Sequence, residues 1–166
     1  MARYFRAMAY SALAKSYGGV PYYDETVDPT DMALYKDRDS YLYIAQKILE
    51  DFQNALENVR VDDTKRQVNR YVVGAYMSRE LLYHATWLKY HGSTVGPDAE
   101  KIADEDIKAL LQGAINGANA VIGSNKYSIG NTYNALFTTD DLADNKEVIW
   151  YREYTSGLQG LSLIHI

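Results

Sequence analysis

Apolar residues recur along this chain at helical spacing in four stretches, separated by polar or breaker-rich segments. In the first, Phe5, Met8, Ala9, Ala12 and Leu13 fall at i, i+3, i+4, i+7 and i+8, which predicts one buried helical face with Arg6 and Lys15 off it. Gly18 and Pro21 follow, so the helix stops after Tyr17: glycine takes the left-handed conformation that closes a helix, and proline cannot extend one. In the second, Asp39 or Ser40 caps a helix whose Tyr41, Ile44, Ile48, Phe52, Ala55, Leu56 and Val59 form the apolar face. Gln46, Lys47, Glu50, Asp51 and Glu57 fill the opposite one. The third has Asn69 as its cap, with Val68 placed to staple onto Val73, and runs to His91 before Gly92. Gly74, Ala75 and Ser78 keep its early turns small enough for a second backbone to come close, and Leu81, Leu82, Tyr83, Trp87 and Leu88 fill the later ones. The fourth opens on Asp104, Glu105 and Asp106, where the helix dipole favours negative charge. It carries Ile107, Leu110, Leu111, Ala114, Ile115, Ala118, Val121 and Ile122 before Gly123 stops it.

Between these stretches, residues 22–38 are polar, contain Pro29 and have no period, so they read as a long surface loop. Past Gly123 the pattern weakens. Asn125 to Ile129 reads as extended, Thr132 to Phe137 as a helical turn, and Glu147-Val148-Ile149-Trp150-Tyr151 has the β-branched and aromatic content of a strand. The expectation is a mostly all-α fold of tetratricopeptide-like helical hairpins, with about four main helices and a short irregular or extended C-terminal part. Leu13, Ile48, Leu82 and Leu111 should lie inside it. Residues 1–160 read as a single helical domain, an internal piece of a longer protein, and 161–166 as an apolar, non-native tail.

Composition narrows the function classes. A length of 166 residues with 47% hydrophobic content suffices for one domain with a real core. A net charge of -5 with no basic run argues against a nucleic-acid partner. Zero cysteines remove disulfides, thiolate metal sites and cysteine nucleophiles. No apolar run approaches the roughly 20 residues of a membrane-spanning helix. Tyrosine, at 16 residues, is the one strong excess, and it combines a buriable ring with a hydroxyl that needs a partner.

Candidate chemistry is sparse. Glu80, His84 and His91 stand at metal-ligand spacing, but a single helix cannot enclose an ion, so they read as a solvated polar stripe and no metal or cofactor is assigned. No serine lies in a nucleophile-elbow sequence, Gly18-Gly19 lacks the lysine of a phosphate loop, and no catalytic residue is assigned. Tyr22 and Tyr23, beside Asp24 and Glu25, can either stack on a sugar ring or pack against the helices at the base of the loop.

Several short motifs then fall in a telling order: Arg3-Tyr-Phe-Arg-Ala7, Tyr17-Gly-Gly-Val-Pro21, Arg38-Asp-Ser-Tyr41 with Ile48-Leu-Glu-Asp51, Val68 to Leu82, Asn125-Lys-Tyr-Ser-Ile129 and Glu147-Val-Ile-Trp150. In that order they resemble the SusD/RagB family of surface glycan-binding lipoproteins of Bacteroidota, over nearly the whole chain up to about Tyr154. The resemblance implies a non-catalytic uptake component, lipid-anchored at the outer-membrane surface, that acts with a SusC-like TonB-dependent transporter and handles an oligosaccharide or other nutrient. This stretch would be mainly its helical scaffold and transporter-contacting part. The family's sugar contacts vary, so the resemblance carries no ligand-binding residue to a position here. Two alternatives remain beside it: a free-standing helical-repeat adaptor, and a metal-dependent hydrolase built on Glu80 and His84.

Overall fold

At α1's end, α2's start and both ends of α3, a side chain or a glycine provides the chemical reason for the helix limit. The computed structural model describes residues 1–62, 64–92, 102–130, 133–138 and 141–153. Helix α1 spans Ala2–Tyr17, α2 Tyr41–Asn58, α3 Arg70–His91, α4 Asp104–Ile122 and the short α5 Tyr133–Thr138. Gly18 (φ 73°) and Gly92 (φ 66°) close α1 and α3 in the positive-φ region and return their N–H groups to the carbonyls of Ala14 and Leu88. Ser40 caps α2 by accepting from the Tyr43 N–H, while the Asp39 carboxylate accepts from the Tyr22 N–H at 2.6 Å and pins the preceding loop. Asn69 accepts from both Tyr71 and Val72 N–H groups at the start of α3.

The protein is all-α, and no strand occurs among the described residues. Tyr4 packs edge-on against Phe52, and Gly19 lies so close to the Asp39 carbonyl that a Cβ there would collide with it; α1 and α2 are therefore antiparallel. Gly74 faces Gly117 and Leu81 faces Gly113, which makes α3 and α4 a second antiparallel hairpin. A Cβ on Gly117 would stand 2.6 Å from the Gly74 carbonyl oxygen, so only glycine permits this backbone approach. The hairpins stack with α1 parallel to α3, through Tyr4 on Tyr76 and Ser11 on Glu80, and α2 parallel to α4, through Gln46 on Asp106. Ile44, Ile48, Phe52, Val72, Met77, Leu81, Leu88 and Leu110 fill the space between them.

Three expectations from the apolar pattern are corrected. The buried face of α1 is Tyr4, Ala7, Ser11 and Ala14, whereas Phe5 is 53% and Leu13 41% exposed, and Ala9 and Ala12 are also on the surface. Both faces of this helix carry apolar side chains. The inward one is chosen by what faces it: Arg6 reaches Asp51 on α2, Ser11 and Lys15 reach Glu80 on α3, and Ala7 and Ala14 are small enough for close packing. Leu82 is 51% exposed, as are Ile115 and Ile122 to similar or greater extents, because the contact faces of α3 and α4 are narrower than their apolar stripes. Of the four leucine and isoleucine positions expected inside, Ile48 is fully buried and Leu111 is partly buried, while Leu13 and Leu82 are not buried. Conversely, Asp51, expected on the polar face of α2, is buried.

The C-terminal part is irregular. Residues 147–151 form no strand; they lie along α3, with Trp150 against Tyr76 at 5.9 Å and the Tyr151 N–H donating to the Lys65 carbonyl. Among the described residues one backbone bond, Ser128 N–H to the Lys146 carbonyl, joins 128 to the residue preceding this segment, and one bond is not a ladder. The expected turn near 132–137 is present as α5. The loop 22–38 contains a 3-10 turn, Met32–Tyr35, capped by Asp31. The tail 161–166 lies outside the described residues.

Candidate functional site

The most concentrated polar chemistry is buried between α1, α2 and α3. Ser11 on α1, Tyr41 at the start of α2, and Glu80 and His84 one turn apart on α3 are all nearly inaccessible to solvent. The Ser11 Oγ lies 2.5 Å from Glu80 Oε2 and 2.9 Å from His84 Nε2, and the Tyr41 hydroxyl is 2.8 Å from His84 Nδ1. One proton assignment satisfies every group. Ser11 has a single proton, which the adjacent carboxylate requires. His84 Nε2–H therefore donates to Ser11, and Nδ1 accepts from Tyr41. Lys15 on α1 and Arg79 on α3 complete the chain by donating to Glu80 Oε2 and Oε1, respectively.

The electrostatics follow from this geometry. Burial, with Lys15 adding to it, pushes His84 down to about 4, against the opposing pull of Glu80, so the imidazole is neutral at pH 7. Burial pushes the Glu80 carboxyl upward, but hydrogen bonds from Lys15, Ser11 and Arg79 and the charge of Lys15 outweigh it, and the group lies below its usual value. Burial, with a contribution from Tyr83, raises the Tyr41 phenol far above its ordinary value, which keeps it a proton donor.

Serine, histidine and glutamate in one cluster invite comparison with a nucleophilic triad, but here the protons run the other way. His84 Nε2 donates to the serine oxygen and its lone pair is occupied by Tyr41, so the histidine is not placed as a base for Ser11. Metal coordination fares no better. Glu80 and His84 are saturated by protein partners, and His91 sits two turns on at the surface, packed on Trp87 at 4.3 Å. No group of three metal-ligating side chains occurs among the described residues.

A second ionic link joins α1 to α2. Arg6 forms a bidentate pair with the buried Asp51, at 2.6 and 2.7 Å, donates to the Asp24 carbonyl and lies over the Tyr22 ring. Tyr22 is buried, tilted against Tyr10 at 4.7 Å and edge-on to Tyr43, and Tyr23 donates its hydroxyl to the Leu34 carbonyl. Of the two uses open to Tyr22 and Tyr23, packing at the loop base is the one observed. Sequence reasoning missed Ser11, Lys15 and Tyr41 as members of the buried chain, since they come from segments 69, 65 and 43 positions distant from their partners. The Glu80/His84 spacing correctly put both on one face of α3, but the expected solvated stripe is corrected: Glu80 and His84 are buried because Ser11, Lys15 and Tyr41 supply their partners, and His91 is the member at the surface.

Two openings border these elements. A groove of about 580 Å³ runs between α3 and the C-terminal segment, with Tyr76, Arg79, Phe137 and Trp150 among its walls. A smaller cleft of about 190 Å³ sits where α1 and α3 end, bounded by Lys15, Tyr17, Gly18, Tyr41, Tyr83, Trp87 and Gly92. No described helix is long and apolar enough to cross a membrane. Comparison with protein-family models, with curated proteins and with solved structures gives no match for this chain.

Proposed function

We propose that the chain is the helical scaffold of a SusD-like, non-catalytic surface component for glycan uptake, held at the outer membrane by a lipid anchor elsewhere in the protein and working with a SusC-like TonB-dependent transporter. One observation supports the reading: the scattered segments that carry the resemblance meet one another in space. Arg6 of the first motif pairs with Asp51 at the end of Ile48-Leu-Glu-Asp51. Val20 accepts a backbone bond from Asp39, joining the Tyr-Gly-Gly-Val-Pro and Arg-Asp-Ser-Tyr motifs. Within Val68 to Leu82, Tyr71 packs on Tyr127 of Asn125-Lys-Tyr-Ser-Ile129, and Tyr76 packs on Trp150. Segments far apart in sequence are thus joined in one packed unit, as the scaffold reading requires. The stacked hairpins also provide a broad rigid face suited to holding a partner protein.

The test uses the full-length protein of which residues 1–166 are read as a part. It should co-purify with a TonB-dependent transporter and, by calorimetry against a glycan panel, bind at least one oligosaccharide without releasing reducing ends. Reducing-end release abolished by a single carboxylate substitution would overturn the proposal in favour of an enzyme. Neither transporter nor glycan binding would overturn it in favour of an adaptor.

A further inference from the structure

The loop 22–38 is long and polar, yet its backbone is held at many points. Its ends are tied together, the Tyr22 N–H donating to the Asp39 carboxylate and the Asp39 N–H to the Val20 carbonyl. Inside it, Asp28 Oδ1 accepts from both the N–H and the hydroxyl of Thr30, and Asp31 caps the 3-10 turn Met32–Tyr35 by accepting from the Ala33 N–H. The Leu34 carbonyl of that turn accepts from the Tyr23 hydroxyl at 3.1 Å, and Lys36 beyond it donates to the Tyr22 carbonyl and pairs with Asp39. Compact surface loops closed at the base and held by their own side chains are frequently functional.

These ties leave the apolar side chains of the turn outside. Met32 is 77% and Tyr35 78% exposed, and Leu34 is also at the surface. A 3-10 helix has three residues per turn, so side chains at i and i+3 lie one above the other and Met32 and Tyr35 project from the same side. A single exposed apolar residue is ordinary. A methionine and a tyrosine held side by side on a fixed backbone form a contact surface that needs little further ordering when something binds.

We infer that Met32 and Tyr35 are the anchor by which this protein docks into an apolar pocket, edged by Lys or Arg, on a partner protein. Charge selects the rim. Asp24, Glu25, Asp28, Asp31 and Asp37 are exposed and flank the turn, against Arg38 and against Lys36, which Asp39 engages. A pocket ringed by cations attracts such a loop, while an anionic lipid surface or a nucleic acid repels it. The net charge of -5 likewise opposes docking onto a second copy of this chain. Shape selects the pocket: a turn this exposed projects from the surface, so it fills a concavity and does not itself enclose a small ligand. Tyrosine and methionine are enriched at the buried centre of protein interfaces, and charged residues are confined to the rim. The contact stands on the loop alone; only the choice of a TonB-dependent transporter as the first protein assayed rests on the uptake reading.

In the full-length protein in its own cells, Tyr35 replaced by the photo-crosslinker p-benzoylphenylalanine should yield one protein adduct on irradiation. The same group at Asn119, an exposed position on α4, should not yield it. Mass spectrometry should place the crosslink among apolar residues flanked by Lys or Arg. With that partner purified, Met32→Asp and Tyr35→Ala should each weaken binding at least about tenfold and Glu25→Lys at least about threefold, and added salt should weaken it further. All three variants should keep the melting temperature of the natural sequence, because none of these side chains is buried. No adduct from position 35 beyond that from 119, an adduct to lipid or to a second copy, a crosslinked site without cations, or affinity unchanged by Met32→Asp would overturn the inference. If a transporter co-purifies but position 35 gives no adduct, the docking loop fails and the uptake reading stands. If the adduct is a protein other than a transporter, with the pocket chemistry described, the docking loop stands and the uptake reading loses its partner.

Discussion

Lowering the pH should unfasten this protein from the inside, through His84. The imidazole is fully buried, accepts a hydrogen bond from Tyr41 and donates one to Ser11, and burial with Lys15 pushes it down to about 4, against about 6.5 for a histidine in an unfolded chain. Between those values the unfolded chain binds the extra proton and the folded one does not, so stability is complete above about pH 6.5 and falls as the pH drops toward 4. At about 1.4 kcal/mol per unit, the descent from pH 6.5 to 5 costs about 2 kcal/mol, and the whole window about 3 kcal/mol. For a domain of this size that corresponds to roughly 4–8 °C in melting temperature by pH 5. Glu80, whose value is lowered, loses its own contribution only below its unfolded value of 4.5, so the range from 6.5 to 5 isolates the histidine. The assay is urea unfolding at half-unit steps from pH 7.5 to 4.5, for the natural sequence and for His84→Gln. The variant is less stable at pH 7 but should show a flatter profile from 6.5 to 5. Parallel profiles for the two proteins would refute the buried-neutral assignment.

Three further substitutions test the packing. Gly117→Ala should cost about 1–3 kcal/mol by urea unfolding, because its Cβ has to displace the Gly74 carbonyl and Ser78 nitrogen, which are backbone atoms and cannot rotate away. Asp51→Ala should cost about 2–3 kcal/mol, less than the roughly 3–5 of a fully enclosed pair since Arg6 keeps some solvent, and salt should restore little of it. Leu110→Asp should unfold the protein or lower its melting temperature by more than about 10 °C, whereas Leu82→Ser should change stability by less than about 0.5 kcal/mol; similar effects from the two would contradict the assigned faces of α3 and α4.

Local chemistry alone determined a good part of this molecule. Gly18, Ser40, Asn69, Gly92 and the Asp104-Glu105-Asp106 start set five of the eight limits of the four main helices to within a residue or two, because capping and glycine closure act over one turn of chain. The small side chains at Gly74 and Ser78 foretold a close backbone neighbour, though not that Gly117 would be the residue facing them. The all-α class follows from the same local rules. What needed the tertiary structure was the choice between two apolar faces of α1, the burial of Asp51, Glu80 and His84, and the fate of Glu147 to Tyr151. In each case the deciding partner lies far away in sequence: Asp51 for Arg6, Glu80 for Ser11 and Lys15, His84 for Tyr41, and Tyr76 for Trp150. A charged side chain can be buried only when its countercharge is brought to it, and strand-like residues form a strand only beside another strand. Hydrophobic periodicity records neither condition, so the polar chain behind the α1/α3 cleft exists only once three segments of the chain have been folded together.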